Sequence, residues 1–149
     1  MNILKVKRIH PEAKLPTVAH PGEDLAYDLY ALESAKAAAH TVCKLRTGIA
    51  ANAFKTDKDF GLPVVRLGLL LKTRSGMASF GFTVEGGVID PRYTGEIIVL
   101  LSCKYDFTIN PGDKIAQAVP VEVLTGEVIE VEELEAGARG EKGFGSTGR

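Results

Sequence analysis

GGVIDPRYTGEIIVLL, residues 86–101, is the stretch on which the fold of this chain turns. Val88 and Ile89, and then residues 97–101, are apolar and β-branched enough to be strands, and the residues between them are turn formers. A hairpin is the direct expectation. Asp90 at the first turn position and Pro91 at the second suit a type I turn, because the proline ring presets φ and the aspartate oxygen accepts a local backbone N–H. The turn therefore sets a single carboxylate, Asp90, at its mouth. An Asp before a Pro is structural more often than catalytic, so its meaning depends on the rest of the chain.

On the N-terminal side, residues 3–8 alternate as a strand should, and a Pro-punctuated loop follows over 10–22. Residues 25–32, LAYDLYAL, are a second strand carrying one acid, Asp28. Residues 31–39 have helical composition but no sustained 3.6-residue stripe, so a loop or a single turn is expected there. Strand patterning resumes at 41–46 and 49–51, around Gly48. Residues 54–61 read as a polar surface loop. Residues 64–72 are a strongly apolar strand that runs into TRSGMASFGF, with a short helix after Arg74. On the C-terminal side come a short strand at 107–109, a turn at Asn110-Pro111-Gly112, a strand over 114–123, and residues 128–131 closing the folded part. Short strands separated by turns, with no helical crossovers, predict an all-β sandwich or barrel and argue against a parallel α/β sheet.

The 149 residues suit one domain over residues 1–134, followed by a glycine-rich arm over 135–149. A net charge of −1 with both signs interspersed gives no field towards nucleic acid or an anionic membrane, so neither is an expected partner. The N-terminus is too charged for a signal peptide, no apolar run approaches the ~18 residues of a membrane span, and a cytoplasmic location is expected. Cys43 and Cys103 suit buried free thiols, and His10, His20 and His40 are too scattered for a metal site.

Four further features carry chemistry. Arg74-Ser75-Gly76, at a strand-to-helix junction, offers a guanidinium fork, a hydroxyl and exposed N–H groups to an anion, although most such triplets are plain turns. Gln117 is an amide in an apolar strand and needs a partner. Asp28 either pairs with a buried cation or organises the water of a bound metal. The arm offers Arg139, Ser146, Thr147 and glycine N–H groups to phosphate oxygens, together with one aromatic, Phe144, beside Gly145. Ordering it costs roughly 1–2 kcal/mol per residue, against about 1.5–3 kcal/mol from burying one Phe. Flexibility without ligand and closure over a polyphosphate are expected.

Taken together the chain resembles the trimeric dUTPase family, the dUTP nucleotidohydrolases. Five segments carry the resemblance in the family's order: AYDLYA at 26–31, RSGMA at 74–78, GVIDPRYTGE at 87–96, PGDKIAQ at 111–117 and RGEKGFGSTG at 139–148. The resemblance implies a jelly-roll-like β subunit in a homotrimer, with each active site drawn from all three chains. It implies hydrolysis of dUTP to dUMP and pyrophosphate with Mg²⁺ on the triphosphate, a reaction that limits uracil in DNA and supplies dUMP for thymidylate. By position, Asp90 would orient and deprotonate the attacking water, and Tyr93 would pack under the deoxyribose and exclude a 2′-hydroxyl. The hairpin backbone around Gly87, Val88, Ile89 and Ile98 would read uracil. Arg74, Ser75, Gly76 and Gln117 would hold phosphates, and Asp28 would act on the metal through water. The arm would close over a neighbouring subunit's site, with Phe144 and Gly145 on uracil and Arg139, Ser146 and Thr147 on the outer phosphates.

The sequence departs from the family's pattern at Ala26, Met77, Arg92, Lys114 and Lys142. Arg92 stands where a second acid is frequent, and Lys114 lacks the bidentate fork of the usual Arg. Two alternatives remain: a dCTP deaminase of the same fold, which carries a catalytic Glu where Leu100 stands, and a regulatory nucleotide-binding protein without turnover.

Overall fold

In a computed structural model that describes residues 2–57 and 63–135, the alternating apolar segments fold as strands joined by turns and one short helix. In chain order these are β1 (Asn2–Arg8), β2 (Tyr27–Tyr30), β3 (Ala35–Ala37), β4 (Val42–Arg46), β5 (Ile49–Thr56), β6 (Pro63–Lys72), α1 (Ser75–Ser79), β7 (Phe82–Glu85), β8 (Val88–Ile89), β9 (Ile98–Cys103), β10 (Phe107–Ile109) and β11 (Lys114–Glu122). The larger sheet runs β1-β5-β6-β11-β2, with β8 also on β6. A second sheet runs β4-β9-β7, and β3 pairs with β10. Every pairing is antiparallel. The all-β expectation holds, and the one helix among the described residues follows Arg74.

The core lies where the inward faces of these sheets meet. Leu67, Leu69 and Leu71 alternate inward along β6, and Val99, Leu101 and Cys103 along β9, as the two-residue period of a strand requires. Ile97, Leu45, Ile49, Leu29 and Ile115 complete a contiguous cluster. Burying each large aliphatic side chain is worth about 1.5–3 kcal/mol. In β11 the pairing with β2 shifts between Lys114 and Ala116. The irregularity lets Ile115 and Ala116 both be buried and leaves Gln117 on the opposite face.

Several expectations are corrected. The turn after Ile89 forms, closed by Tyr93 N–H donating to Asp90 O at 3.0 Å, but its flanking strands do not pair as a hairpin. β8 adds to β6 through Leu69↔Ile89, whereas β9 lies between β4 and β7. The turn thus crosses from one sheet to the other. Residues 31–39 include strand β3, because pairing with β10 outweighs the helical preference of alanine. Residues 54–56 belong to β5, not to a surface loop, since Lys55 pairs with Val65 and Phe54 is buried. Strand β7 lay unread inside the segment after Arg74. No strand forms at 128–131, where Val128 is 98% and Ile129 74% exposed. Cys103 is buried and Cys43 half-buried, both free. Among the described residues no helix is long and apolar enough to cross a membrane.

Candidate active site

Three adjacent strands build the first half of the site. Gln117 on β11 stands in register with Asp28 on β2 at one side and Lys72 on β6 at the other, so three polar side chains line one face, away from the core. The chain leaves β6 through Thr73 and Arg74 into α1, with Arg74 extended at φ −72° and ψ 146° as the residue before the helix. Arg74 Nε donates to Asp28 Oδ1 at 2.6 Å, and Lys114 Nζ lies 2.7 Å from Asp28 Oδ2. Gln117 Nε2 donates to Thr73 O at 3.0 Å, and the Thr73 hydroxyl accepts the N–H of Val84 at 2.8 Å. These bonds fix the β6–α1 junction and aim Arg74.

Asp28, Lys72, Arg74, Ser75, Lys114 and Gln117 all line a groove of about 700 Å³, with Asp24 and His20 at one side and Leu70 and Val119 supplying apolar wall. Lys72, Arg74 and Lys114 outnumber the carboxylates Asp24 and Asp28, so the groove suits an anion. The His20 backbone N–H, 2.9 Å from Asp24 Oδ2, holds the Asp24 carboxyl below the usual carboxylate range, helped by the charge of the His20 ring. Among the described residues no three His, Cys, Asp or Glu side chains converge. Both oxygens of Asp28 lie against cations, Arg74 on one and Lys114 on the other.

The second half is built on the turn. Val88, Ile89, Asp90, Tyr93, Glu96 and Ile98 line a separate depression of about 180 Å³. Its floor is possible because Gly87 takes φ +88° and its carbonyl accepts Leu71 N–H at 2.7 Å; a Cβ there would sit 2.9 Å from Leu71 Cβ and O. The Tyr93 hydroxyl donates to Glu96 O at 3.1 Å and the ring covers Gly95, where any Cβ would meet it. The Glu96 carboxylate is held by Arg46, at 3.2 Å from Nε and Nη2, and by the N–H of Gly48 at 2.8 Å. The Thr47 hydroxyl donates to Ile97 O at 2.6 Å. The far end of the turn is thereby anchored to the β4–β5 corner.

The two halves match two sets of sequence-derived residues. Asp28, Arg74, Ser75 and Gln117 come together in the groove; Val88, Ile89, Asp90, Tyr93 and Ile98 come together in the depression; Gly76 is exposed on α1 beside Ser75. Within one chain the two sets line two hollows rather than one, and these adjoin where Leu70 of the groove pairs with Val88 of the depression. Arg139, Phe144, Gly145, Ser146 and Thr147 lie outside the described residues.

The dUTPase family model matches residues 12–148. The chain belongs to the dUTPase family. It is 37% identical over 150 residues to the deoxyuridine 5′-triphosphate nucleotidohydrolase of Helicobacter hepaticus, covering 97% of this chain and 88% of that one. It is 38% identical over 153 residues to the enzyme of that name from Candida albicans, covering 98% and 88%. Among solved structures it resembles the Staphylococcus bacteriophage 80alpha dUTPase with dUpNHpp, at a TM-score of 0.81 and 26% identity over the whole of both chains.

Within that family frame, sequence reasoning missed Lys72, Arg46, Asn52 and the anchoring role of Glu96. Asn52 carried a usable signal, a lone amide in the apolar strand IAANAF, the same one that marked Gln117. Lys114, noted for lacking a fork, makes a single contact to Asp28.

Proposed function

We propose that this chain hydrolyses dUTP to dUMP and pyrophosphate, as its family membership implies. The observation that carries the proposal is that Asp90 and Tyr93 line one depression, on a turn fixed at both ends, in a chain that matches the family nearly end to end. Asp90 accepts a hydrogen bond from water and takes its proton as the water attacks, a contribution on the order of 10²–10⁴-fold. Tyr93 backs the deoxyribose and leaves no room for a 2′-hydroxyl. The backbone of Gly87, Val88, Ile89 and Ile98 takes the uracil edge. Arg74, Ser75, Gly76 and Gln117 hold the phosphates, and positioning with charge stabilisation supplies much of the remaining acceleration. A Mg²⁺ carried by the triphosphate would neutralise phosphate charge, and Asp28 is the residue that would hold it through water.

The active form is a homotrimer in which the groove of one chain and the depression of another share a substrate. That the phosphate-side residues and the Asp90 turn line two hollows and not one supports this arrangement. So do Leu124, Val128, Ile129 and Leu134, apolar side chains left in water after β11 in the single chain. The arm over 135–149 closes on a neighbour's site, Phe144 and Gly145 over uracil and Arg139, Ser146 and Thr147 on the outer phosphates. The cytoplasm is the proposed location. Deamination is disfavoured because half-buried Leu100 occupies the position of the acid that reaction needs.

Purified protein with Mg²⁺, supplied separately with dUTP, UTP, dCTP and dTTP, tests the function by chromatography of products. Conversion of dUTP to dUMP and pyrophosphate, with the other three left intact, is expected. Deamination of dCTP, or tight dUTP binding without turnover, would replace the proposal with one of its alternatives.

A further inference from the structure

Asn52 stands on β5, opposite Lys5 of β1 and between small apolar neighbours. Its side-chain amide donates to two carbonyls of the turn, Pro91 O at 3.3 Å and Tyr93 O at 3.0 Å, which flank Arg92. The turn is tied at its start by β8 on β6 and at its end by Glu96 on the β4–β5 corner. Asn52 adds the tie between them, from a residue held in a strand ladder. The chemistry is specific to asparagine: Asp has no donor for the two carbonyls, and Gln is longer by a methylene.

We propose that Asn52 is a positioning residue that sets the turn bearing Asp90 and Tyr93, and thereby sets discrimination between deoxyribose and ribose substrates; this rests on the dUTPase function proposed above. The path is short. Asn52 holds the Tyr93 carbonyl, Glu96 O holds the Tyr93 hydroxyl, and the ring between them lines the depression. Release of the carbonyl frees the ring to shift and lets Asp90, three residues earlier, move with it. Misplacement of a reacting group by about 1 Å costs on the order of 10²-fold in rate.

The test compares Asn52→Ala and Asn52→Asp with the wild type, measuring kcat and KM for dUTP and UTP together with Tm. Ala53→Gly serves as control, since it loosens the same strand at a buried site paired with Leu4 and Leu67. Both Asn52 variants are expected to lose about 10- to 100-fold in kcat/KM for dUTP and to narrow the dUTP-to-UTP ratio at least about five-fold. Asp should be the worse of the two, because its carboxylate would face two carbonyl oxygens. Ala53→Gly should lower Tm and keep the ratio. An Asn52 variant whose ratio stays within about two-fold of wild type overturns the proposal whatever its Tm, because a merely structural role moves stability alone. Asn52→Ser, with one shorter donor, replaces any variant that does not fold. Absence of dUTP turnover by the wild type would reject the function itself, a result distinguishable from loss of the ratio in the variants.

Discussion

At the scale of single residues the site depends on side chains whose positions are settled by their own hydrogen bonds before any substrate arrives. Tyr93 is 44% exposed, yet its hydroxyl and its carbonyl are both engaged and its ring covers Gly95. Such a ring acts as a fixed wall. Tyr93→Ala should therefore relax selectivity, lowering the ratio of kcat/KM for dUTP over UTP by about 10-fold or more, and steady-state kinetics on the two substrates would show it; an unchanged ratio would move sugar discrimination elsewhere. Asp90, Arg74 and Gln117 stood out in the sequence as a carboxylate in a turn, a guanidinium at a strand-to-helix junction and an amide in an apolar strand, whereas Tyr93 came only through the family resemblance. Asn52 carries the same signal as Gln117, a lone amide in an apolar strand, but the signal does not say what the amide bonds. Its partners are 39 and 41 residues away, and no local pattern names them. Asp28 was legible as an acid needing a partner, but its pairing with both Arg74 and Lys114 depends on the register of β2 and β11.

At the scale of elements, the strands were written in the sequence more clearly than their partners. Alternation exposed β1, because a strand with one buried face repeats every two residues, and a continuous apolar run exposed β6; pattern of this kind is local. It could not show that β8 and β9 belong to different sheets, since both runs are equally apolar and the pairing that separates them is long-range. Likewise β3 is three residues of helix-favouring composition made into a strand by β10. The consequence for the site is that the Asp90 turn bridges two sheets, and its start depends on β8 staying against β6. Gly87 is the residue that permits this approach, at φ +88° with its carbonyl on Leu71 N–H. Gly87→Ala should destabilise the protein by about 1–3 kcal/mol through backbone strain and contact with Leu71. Urea unfolding would measure it, and a loss under about 0.5 kcal/mol, the usual range for surface substitutions, would show that β8 adapts without cost.

At the scale of the whole molecule, the proposed reaction needs both the cationic groove and the carboxylate-bearing depression, which are two hollows on one chain. Assembly resolves this if the halves of a site come from different subunits. Light scattering should then give three times the 15.9 kDa of a single chain. Co-expression of Asp90→Asn with Arg74→Ala chains should yield mixed trimers far more active than either parent, because some sites then combine an intact Asp90 with an intact Arg74 from another subunit. Mixed samples no more active than the parents would place each site within one chain. None of this was readable from residue patterns, for assembly is encoded in surfaces and the sequence shows only that residues 123–134 carry more apolar side chains than a solvated segment needs. The most direct test of the central claim, that Asp90 activates water against bound dUTP, is a comparison of wild type with Asp90→Asn, following dUMP formation together with binding of a non-hydrolysable dUTP analogue. The expected result is a loss of roughly 10²–10⁴-fold in kcat with analogue affinity kept within about three-fold; an Asn variant that turns over dUTP at the wild-type rate would contradict it.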